Sequence, residues 1–301
     1  MDEKIVEIIG LQKYYGKFKA IDKVDLQVFK GDIYGFLGPN GAGKSTTIRC
    51  ILSLIKSSSG TINVFGENIK NNPTHVLRRI GCIVEKPDFY KYLSAEKNLE
   101  IFGRISEADI SKKNIHKMLD FVGLRGREKD KVSGFSHGMK QRLGMAQTLI
   151  HNPDLIVLDE PTTGMDPQGI IDIRNLILNL KNEFNKTIIL SSHILSEIEI
   201  IANRMVVINK GKTIVEGSVS ELLNSEELIV TFETNNLEKS RQIAAALHKV
   251  EVDDSQLLSV FLSKNEIPDL NKALMDNGIE IYGIETKRKL EDYFLKLINQ
   301  A

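Results

Sequence analysis

The sequence predicts an α/β core interrupted by a helical subdomain and followed by a small C-terminal α+β domain. Short, continuously apolar runs at 155–158, 187–190 and 205–208 have the pattern of parallel strands covered on both faces. From about residue 90 to residue 152 the apolar residues recur at helical spacing instead. After about residue 220 the pattern changes to β-α-β-β-α-β.

At the start of the chain the sequence predicts two strands, a glycine-rich loop and a helix. The strands are expected at 5–11 and 21–28, separated by the polar turn Gly16-Lys17. A further apolar run at 33–37 ends in the loop 38–43, and a helix is expected from 44 to about 55. A strand, loop and helix in this order are typical of an α/β nucleotide-binding fold.

The inserted helical subdomain has its own start and stop residues. Ser111 is a typical N-cap, and Gly123 is a typical helix end. We expect residues 1–220 to form the main domain and residues 221–301 an accessory domain. In the accessory domain the pattern predicts strands at 228–232, 257–262 and 279–284, helices at 238–247 and 267–277, and a final helix.

The composition favours a cytoplasmic globular protein. The 40 basic and 40 acidic residues cancel, so no overall field favours nucleic acid or an anionic membrane. No apolar run approaches the roughly 20 residues of a membrane span, and the first residues do not resemble a secretory signal. Cys50 and Cys82 are expected to be reduced and buried, the alternative being a disulfide or a metal site.

Residues 38–45, Gly-Pro-Asn-Gly-Ala-Gly-Lys-Ser, match the P-loop pattern. Glycines let backbone N–H groups turn towards phosphate, and the helix N-terminus adds positive potential. Lys44 is predicted to reach the β- and γ-phosphates and Ser45 to hold Mg²⁺. The other predicted nucleotide contacts in this segment are Asn40, Gly41, Gly43 and Thr46. The core is therefore expected to be a P-loop NTPase, the alternative being a glycine-rich turn that binds no ligand.

Two carboxylates and a histidine follow the predicted parallel strands. Asp159 and Glu160 come directly after the run 155–158, where open α/β sheets bind ligands. Asp159 suits Mg²⁺, and Glu160 is placed to polarise the water that attacks the γ-phosphate. His193 follows the run 187–190 and is a candidate for a hydrogen bond to the γ-phosphate, although a lone histidine is more often structural.

In their order and spacing, these motifs resemble the nucleotide-binding domain of ABC transporters over roughly residues 5–217. The resemblance implies that Tyr15 stacks on adenine and that His193 is the family's switch histidine. For Tyr15 the alternative is an aromatic residue on the surface of a strand. Residues 164–166, Gly-Met-Asp, resemble the loop that crosses the family's dimer interface.

The segment 133–142 resembles the signature region of that family, with departures. Where the common form is Leu-Ser-Gly-Gly-Gln, this chain has Phe135, Ser136, His137, Gly138 and Met139. The two retained positions, Ser136 and Gly138, are implied to donate to the γ-phosphate of ATP on the opposite protomer. One P-loop and one signature therefore imply a dimer with a second copy or a paralogue. Gln141 and Arg142, just beyond, also fit a solvated helix face.

Glu85 stands where the family usually has a glutamine that contacts Mg²⁺ and water. A carboxylate there can still contact the metal, but it adds negative charge near the γ-phosphate. This glutamate, the divergent signature and the C-terminal extension resemble subunits that export bacitracin-like or lantibiotic peptides. The alternative is a neutral variant that says nothing about cargo.

The resemblance implies a Mg²⁺-dependent ATPase that powers a membrane exporter, with antimicrobial peptides as the expected cargo. The expected partners are a membrane-spanning permease and a second nucleotide-binding subunit, identical or not. The expected location is the inner face of the cell membrane, with residues 86–93 meeting the permease. The alternatives are a soluble ABC-type ATPase acting on the ribosome or on nucleic acid, and a regulatory module that binds nucleotide without turnover. No basic stripe supports nucleic acid as a partner.

Overall fold

The computed structural model describes residues 3–223, 228–248, 250–251 and 257–288, and the chain divides into two compact units, Met1–Gly217 and Ser218–Ala301. The strands that begin in the first unit are β1 Lys4–Tyr15, β2 Phe18–Phe29, β3 Ile33–Leu37, β4 Ser59–Val64, β5 Glu67–Asn68, β6 Ile80–Ile83, β7 Leu155–Leu158, β8 Thr187–Ser192, β9 Arg204–Asn209 and β10 Lys212–Ser218. Its helices are α1 Lys44–Ile51, α2 Pro73–Leu77, α3 Ala95–Ile105, α4 Lys112–Phe121, α5 His137–Leu149, α6 Pro167–Asn182 and α7 Leu195–Ile201.

A six-stranded sheet in the order β10-β9-β3-β8-β7-β6 forms the centre of the first unit. The strands from β9 to β6 in this order pair in parallel. Every residue of β3, β7 and β8 is buried, as the continuous apolar runs predicted. Because parallel strands share one carboxyl edge, the loops after β3, β7 and β8 lie side by side.

The predicted insertion is present between β6 and β7, where α3, α4 and α5 follow one another. The Ser111 side chain caps α4 by accepting from the Asn114 N–H, and Gly123 just beyond the helix has a φ of 74°. Both sequence predictions for this helix are confirmed. No helix within the described ranges is both long and apolar enough to cross a membrane.

A second, antiparallel sheet in the order β2-β1-β4-β5 completes the first unit. The turn at Gly16-Lys17 places Tyr15 opposite Phe18 at the end of the β1–β2 hairpin. Apolar residues of this sheet join the same core as α1 and the central sheet. The β1–β2 hairpin therefore packs into the same core as β3 and α1, the two elements that flank the glycine-rich loop.

The end of the first helix and the exposure of one cysteine differ from the sequence predictions. The first helix ends at Ile51 rather than near residue 55, because Ser53 adopts a left-handed φ of 55° that ends the helix. Cys50 is buried as expected, but Cys82 is exposed. It lies on β6, which is an edge strand of the central sheet.

The described part of the second unit has the predicted β-α-β-β-α-β order, preceded by a short helix. Its elements are α8 Val219–Leu223, β11 Leu228–Thr234, α9 Leu237–Leu247, β12 Val250–Glu251, β13 Leu258–Leu262, α10 Ile267–Asp276 and β14 Ile281–Arg288. The sheet order is β12-β13-β11-β14, as in a split β-α-β fold. The last strand begins two residues later than predicted. The final helix expected from the sequence lies outside the described residues.

Candidate active site

The glycine-rich loop between β3 and α1 is held tightly by its surroundings. A Cβ on Gly38 would lie 2.2 Å from the carbonyl oxygen of Ile208 in β9. Gly43, the residue before α1, has a φ of 108°, a conformation that side chains disfavour. Glycine is therefore required at these two positions by the fold itself, and the loop leads directly into the N-terminus of α1.

Lys44 is only 4% exposed, and its ammonium group is bound by the loop that precedes it. Its Nζ donates to the carbonyl oxygens of Gly38 at 2.7 Å and Pro39 at 3.2 Å. It also lies 3.5 Å from Oε1 of Glu160. Burial lowers the pKa of Lys44, although the Glu160 carboxylate opposes this shift. The cation is therefore held inside the loop, where a phosphate would meet it.

Asp159 and Ser45 come together across the end of the sheet. The Ser45 hydroxyl donates to Oδ1 of Asp159 at 3.1 Å, and the Ser191 hydroxyl donates to the same oxygen at 2.6 Å. Ser191 in turn accepts from the Glu160 N–H at 2.9 Å. The carboxylate is 6% exposed and is thus fixed by residues from α1 and β8.

The hydroxyl and carboxylate oxygens of Ser45 and Asp159 are hard donors of the kind that Mg²⁺ takes together with phosphate oxygens and water. Within the described residues no group of three or more His, Cys, Asp and Glu side chains forms a metal cage. Mg²⁺ usually binds through one or two protein ligands and the substrate phosphates, so this pair fits the ion.

Glu160 is held by three neighbours and adopts a left-handed φ of 47°. Oε2 accepts from the Thr163 hydroxyl at 2.9 Å and lies 3.3 Å from Nδ1 of His193, while Oε1 faces Lys44. Burial alone would raise the pKa of Glu160. The Thr163 hydrogen bond and the charges of Lys44 and His193 outweigh burial, so the pKa is lowered. The side chain is therefore held as a carboxylate, the form that can accept a proton.

A cleft of about 300 Å³ brings together most of the residues that the sequence singled out for nucleotide binding. Those lining it are Tyr15, Asn40, Gly41, Gly43, Lys44, Ser45, Thr46 and Glu160. Tyr15 is 47% exposed, with the Lys13 ammonium 4.9 Å from its ring centroid.

Phe18 and Ala20 also line this cleft, and sequence reasoning missed them. The turn at Gly16-Lys17 gave a usable indication for Phe18. A two-residue turn sets its flanking residues opposite each other, and Tyr15 pairs with Phe18. The side of the cleft formed by the hairpin therefore offers two aromatic rings rather than one.

Glu85 is not among the residues that line the cleft. Its exposed carboxylate forms an ion pair with Arg49 in the last turn of α1. Glu85 also adopts a left-handed φ of 65°. The role of Glu85 as a contact to metal or nucleotide stays a prediction.

Ser136 and Gly138 lie at the start of α5, outside the residues that line the cleft. The Ser136 oxygen accepts from the Met139 N–H at 3.2 Å and caps the helix. A serine hydroxyl can accept and donate at once, so its proton stays available for a ligand. Ser136 is exposed, and the loop 164–166 lies against this helix start, with a Cβ on Gly138 falling 3.5 Å from Met165.

Residues 21–163 match the family model described as ABC transporter. The chain is 44% identical to the bacitracin transport ATP-binding protein BcrA of Bacillus licheniformis, over 98% of this chain and 97% of the relative. It is 42% identical to the lantibiotic transport ATP-binding protein SrtF of Streptococcus pyogenes, over 74% of this chain and 95% of the relative.

Among solved structures, an ATP-binding cassette of an ABC transporter in its ADP conformation is similar. The TM-score is 0.66 at 29% identity, over 74% of this chain and 95% of that structure. The P-loop, the carboxylates after β7 and the near full-length similarity all indicate the same family. This chain belongs to the family of ATP-binding subunits of ABC transporters and hydrolyses ATP in the service of transport.

Proposed function

We propose that this chain powers a membrane exporter of antimicrobial peptides of the bacitracin or lantibiotic kind and thereby protects the cell that makes it. The observation that supports the cargo is the 44% identity to a bacitracin transport subunit over 98% of the chain. That similarity extends through the second unit as well as the ATP-binding unit. The lantibiotic transport subunit supports the same class of cargo over 74% of the chain.

The residues in and beside the cleft have distinct parts in the hydrolysis that drives export. Lys44 neutralises the β- and γ-phosphates, and the backbone of the loop 38–43 binds them. Ser45 and Asp159 would hold Mg²⁺, and the ion would supply positive charge against the charge that develops on the phosphates. Glu160, kept ionised by its neighbours, orients the attacking water and accepts its proton. His193 lies beside Glu160 and donates to the γ-phosphate.

The working form is a dimer in which a second nucleotide-binding subunit completes each site. The chain has one P-loop and one signature segment, and Ser136 and Gly138 of that segment are not among the residues that line the cleft at the P-loop. Ser136 and Gly138 contact the γ-phosphate bound by the other subunit, and the loop 164–166 lies in the interface. The exposure of Ser136 supports this arrangement, because its hydroxyl faces solvent.

The chain acts at the inner face of the cell membrane, where it binds a separately encoded permease. The segment 86–93, between β6 and α3, is the proposed contact. It presents two large aromatic side chains to solvent, Tyr90 at 44% and Tyr92 at 70% exposure. Exposed neighbouring tyrosines are typical of protein interfaces. Glu85 precedes this segment directly. If Glu85 responds to ATP binding or hydrolysis, the response therefore passes to the permease through the adjoining segment 86–93.

The test of this function is copurification and peptide resistance in one strain. The tagged chain should retain a membrane-spanning partner encoded beside it, and its deletion should lower resistance to bacitracin or a lantibiotic. Glu160→Gln should fail to restore resistance, whereas Glu238→Gln, a glutamate of the second unit in the first turn of α9, should restore it fully. Retention of ribosomes in place of a membrane partner would contradict the exporter.

A further inference from the structure

His137 connects the first turn of α5 to the loop that follows Glu160. It is the first residue of the helix and lies between the two retained signature positions, Ser136 and Gly138. Its Nε2 lies 3.2 Å from the carbonyl oxygen of Thr163. A carbonyl oxygen can only accept, so Nε2 carries the proton of this hydrogen bond.

Thr163 continues the connection to the carboxylate. Its carbonyl oxygen accepts from His137, and its hydroxyl donates to Oε2 of Glu160 at 2.9 Å. The Thr163 N–H also donates to the carbonyl oxygen of Glu160 at 3.2 Å, which closes a tight turn. Two hydrogen bonds in series therefore run from α5 to the group that accepts the proton from water.

The same loop is attached independently on its other side. The Thr162 hydroxyl donates to both carboxylate oxygens of Glu197 in α7, at 2.9 and 3.1 Å. The Ser192 hydroxyl, at the end of β8, donates to Glu197 at 2.7 Å. Loss of the His137 side chain would leave this attachment in place. Such a variant should fold normally and lose only the constraint from α5.

We propose that His137 is a positioning residue for ATP hydrolysis, which keeps the Thr163 hydroxyl on Glu160 through its hydrogen bond to the Thr163 carbonyl. The common signature has glycine at this position, so a side chain is needed to make the link. His137 lies between Ser136 and Gly138. A nucleotide that contacts those two residues would therefore affect the position of Glu160 in the same chain, through His137 and Thr163. The inference rests on the proposed function, since it requires Glu160 to act in hydrolysis.

The experiment measures steady-state ATP hydrolysis by the full chain with Mg²⁺. His137→Gly and Thr163→Val should each lower kcat by about tenfold and change KM for ATP by less than about twofold, because orientation and not binding is lost. His137→Gln, whose amide can still donate, should recover about half of the wild-type kcat. The control is His116→Gln, an exposed histidine in α4 that should have no effect.

The double variant His137→Gly/Thr163→Val shows whether the two residues act on kcat through one connection to Glu160 or independently of each other. If the two residues act in series, the double variant should lose no more activity than either single variant. Additive losses would overturn the proposal. So would a His137→Gly enzyme with wild-type kcat, or one whose loss lies in KM alone.

Two further results keep this role distinct from the proposed function. Thermal unfolding of each variant checks the fold, and a failure of His137→Gln to recover activity in a folded protein would overturn the positioning role. A wild-type chain that binds ATP without hydrolysing it would overturn the proposed function and this role together. Normal wild-type turnover with unaffected variants would overturn only the role of His137.

Discussion

The P-loop side and the signature side of the proposed ATP site are held in different ways. Lys44 and Asp159 are 4% and 6% exposed, and each is bound by residues of its own unit. Ser136 and His137 lie at an exposed helix start, where Ser136 caps that helix and His137 bonds to the loop after Glu160. The buried side is organised by the fold of one chain, whereas Ser136 on the exposed side is proposed to act on ATP bound by a second subunit.

The comparison predicts the largest effect for Lys44→Ala. This change should weaken ATP binding on the order of 100-fold, because it removes the one side-chain ammonium that lines the described cleft and that we propose neutralises the phosphates. Isothermal titration calorimetry with ATP measures the affinity. Lys56→Ala, at an exposed lysine, is the matched control and should bind ATP normally. An affinity within about threefold of wild type would remove Lys44 from the phosphate-binding role.

Glu160→Gln should separate binding from hydrolysis. The amide oxygen can still accept from Thr163, but it cannot take a proton from water, so turnover should fall by about 100-fold or more. ATP should remain bound and hold the dimer together, and size-exclusion chromatography with light scattering measures this directly. A purely monomeric variant in the presence of ATP and Mg²⁺ would contradict the proposed dimer.

The buried side was largely predictable from the sequence because its determinants are local. The glycines of the loop 38–43 and the apolar run before Asp159 each act over a few residues, as does the Ser111 cap in the helical subdomain. The split β-α-β pattern of the second unit was visible for the same reason. Helix and strand ends were less predictable, as the left-handed Ser53 shows.

What the sequence could not supply depends on distant contacts. Cys82 is exposed because β6 is at the edge of the sheet, and strand order is not written in the local pattern. The bond from His137 to Thr163 joins residues 26 positions apart, so neither residue predicts it alone. Glu85 pairs with Arg49 across 36 positions. The local motifs identify which residues serve ATP binding and hydrolysis, while these long-range contacts set the orientation of their side chains.

Ser136→Ala should have an intermediate effect that is confined to the assembled enzyme. ATP binding by the single subunit should stay within about twofold of wild type, while ATPase activity should fall by about tenfold because one γ-phosphate donor is lost. The change also removes an N-cap, which costs about 1 kcal/mol of stability. Ser111→Ala is a closely matched control, since Ser111 caps α4 in the same way. Equal activity losses in both variants would mean that the cap alone matters.

Glu85→Gln should have the smallest effect. It tests whether the metal site includes Glu85 in addition to Ser45 and Asp159. The Glu85 carboxylate is 69% exposed and paired with Arg49, so its removal should change kcat by less than about twofold. The decisive measurement is the Mg²⁺ concentration that gives half-maximal ATPase activity. An unchanged value would confine the metal site to Ser45 and Asp159. A rise of about tenfold would instead show that Glu85 leaves Arg49 for the metal during turnover, and that the loop leading to the permease takes part in the ATP site.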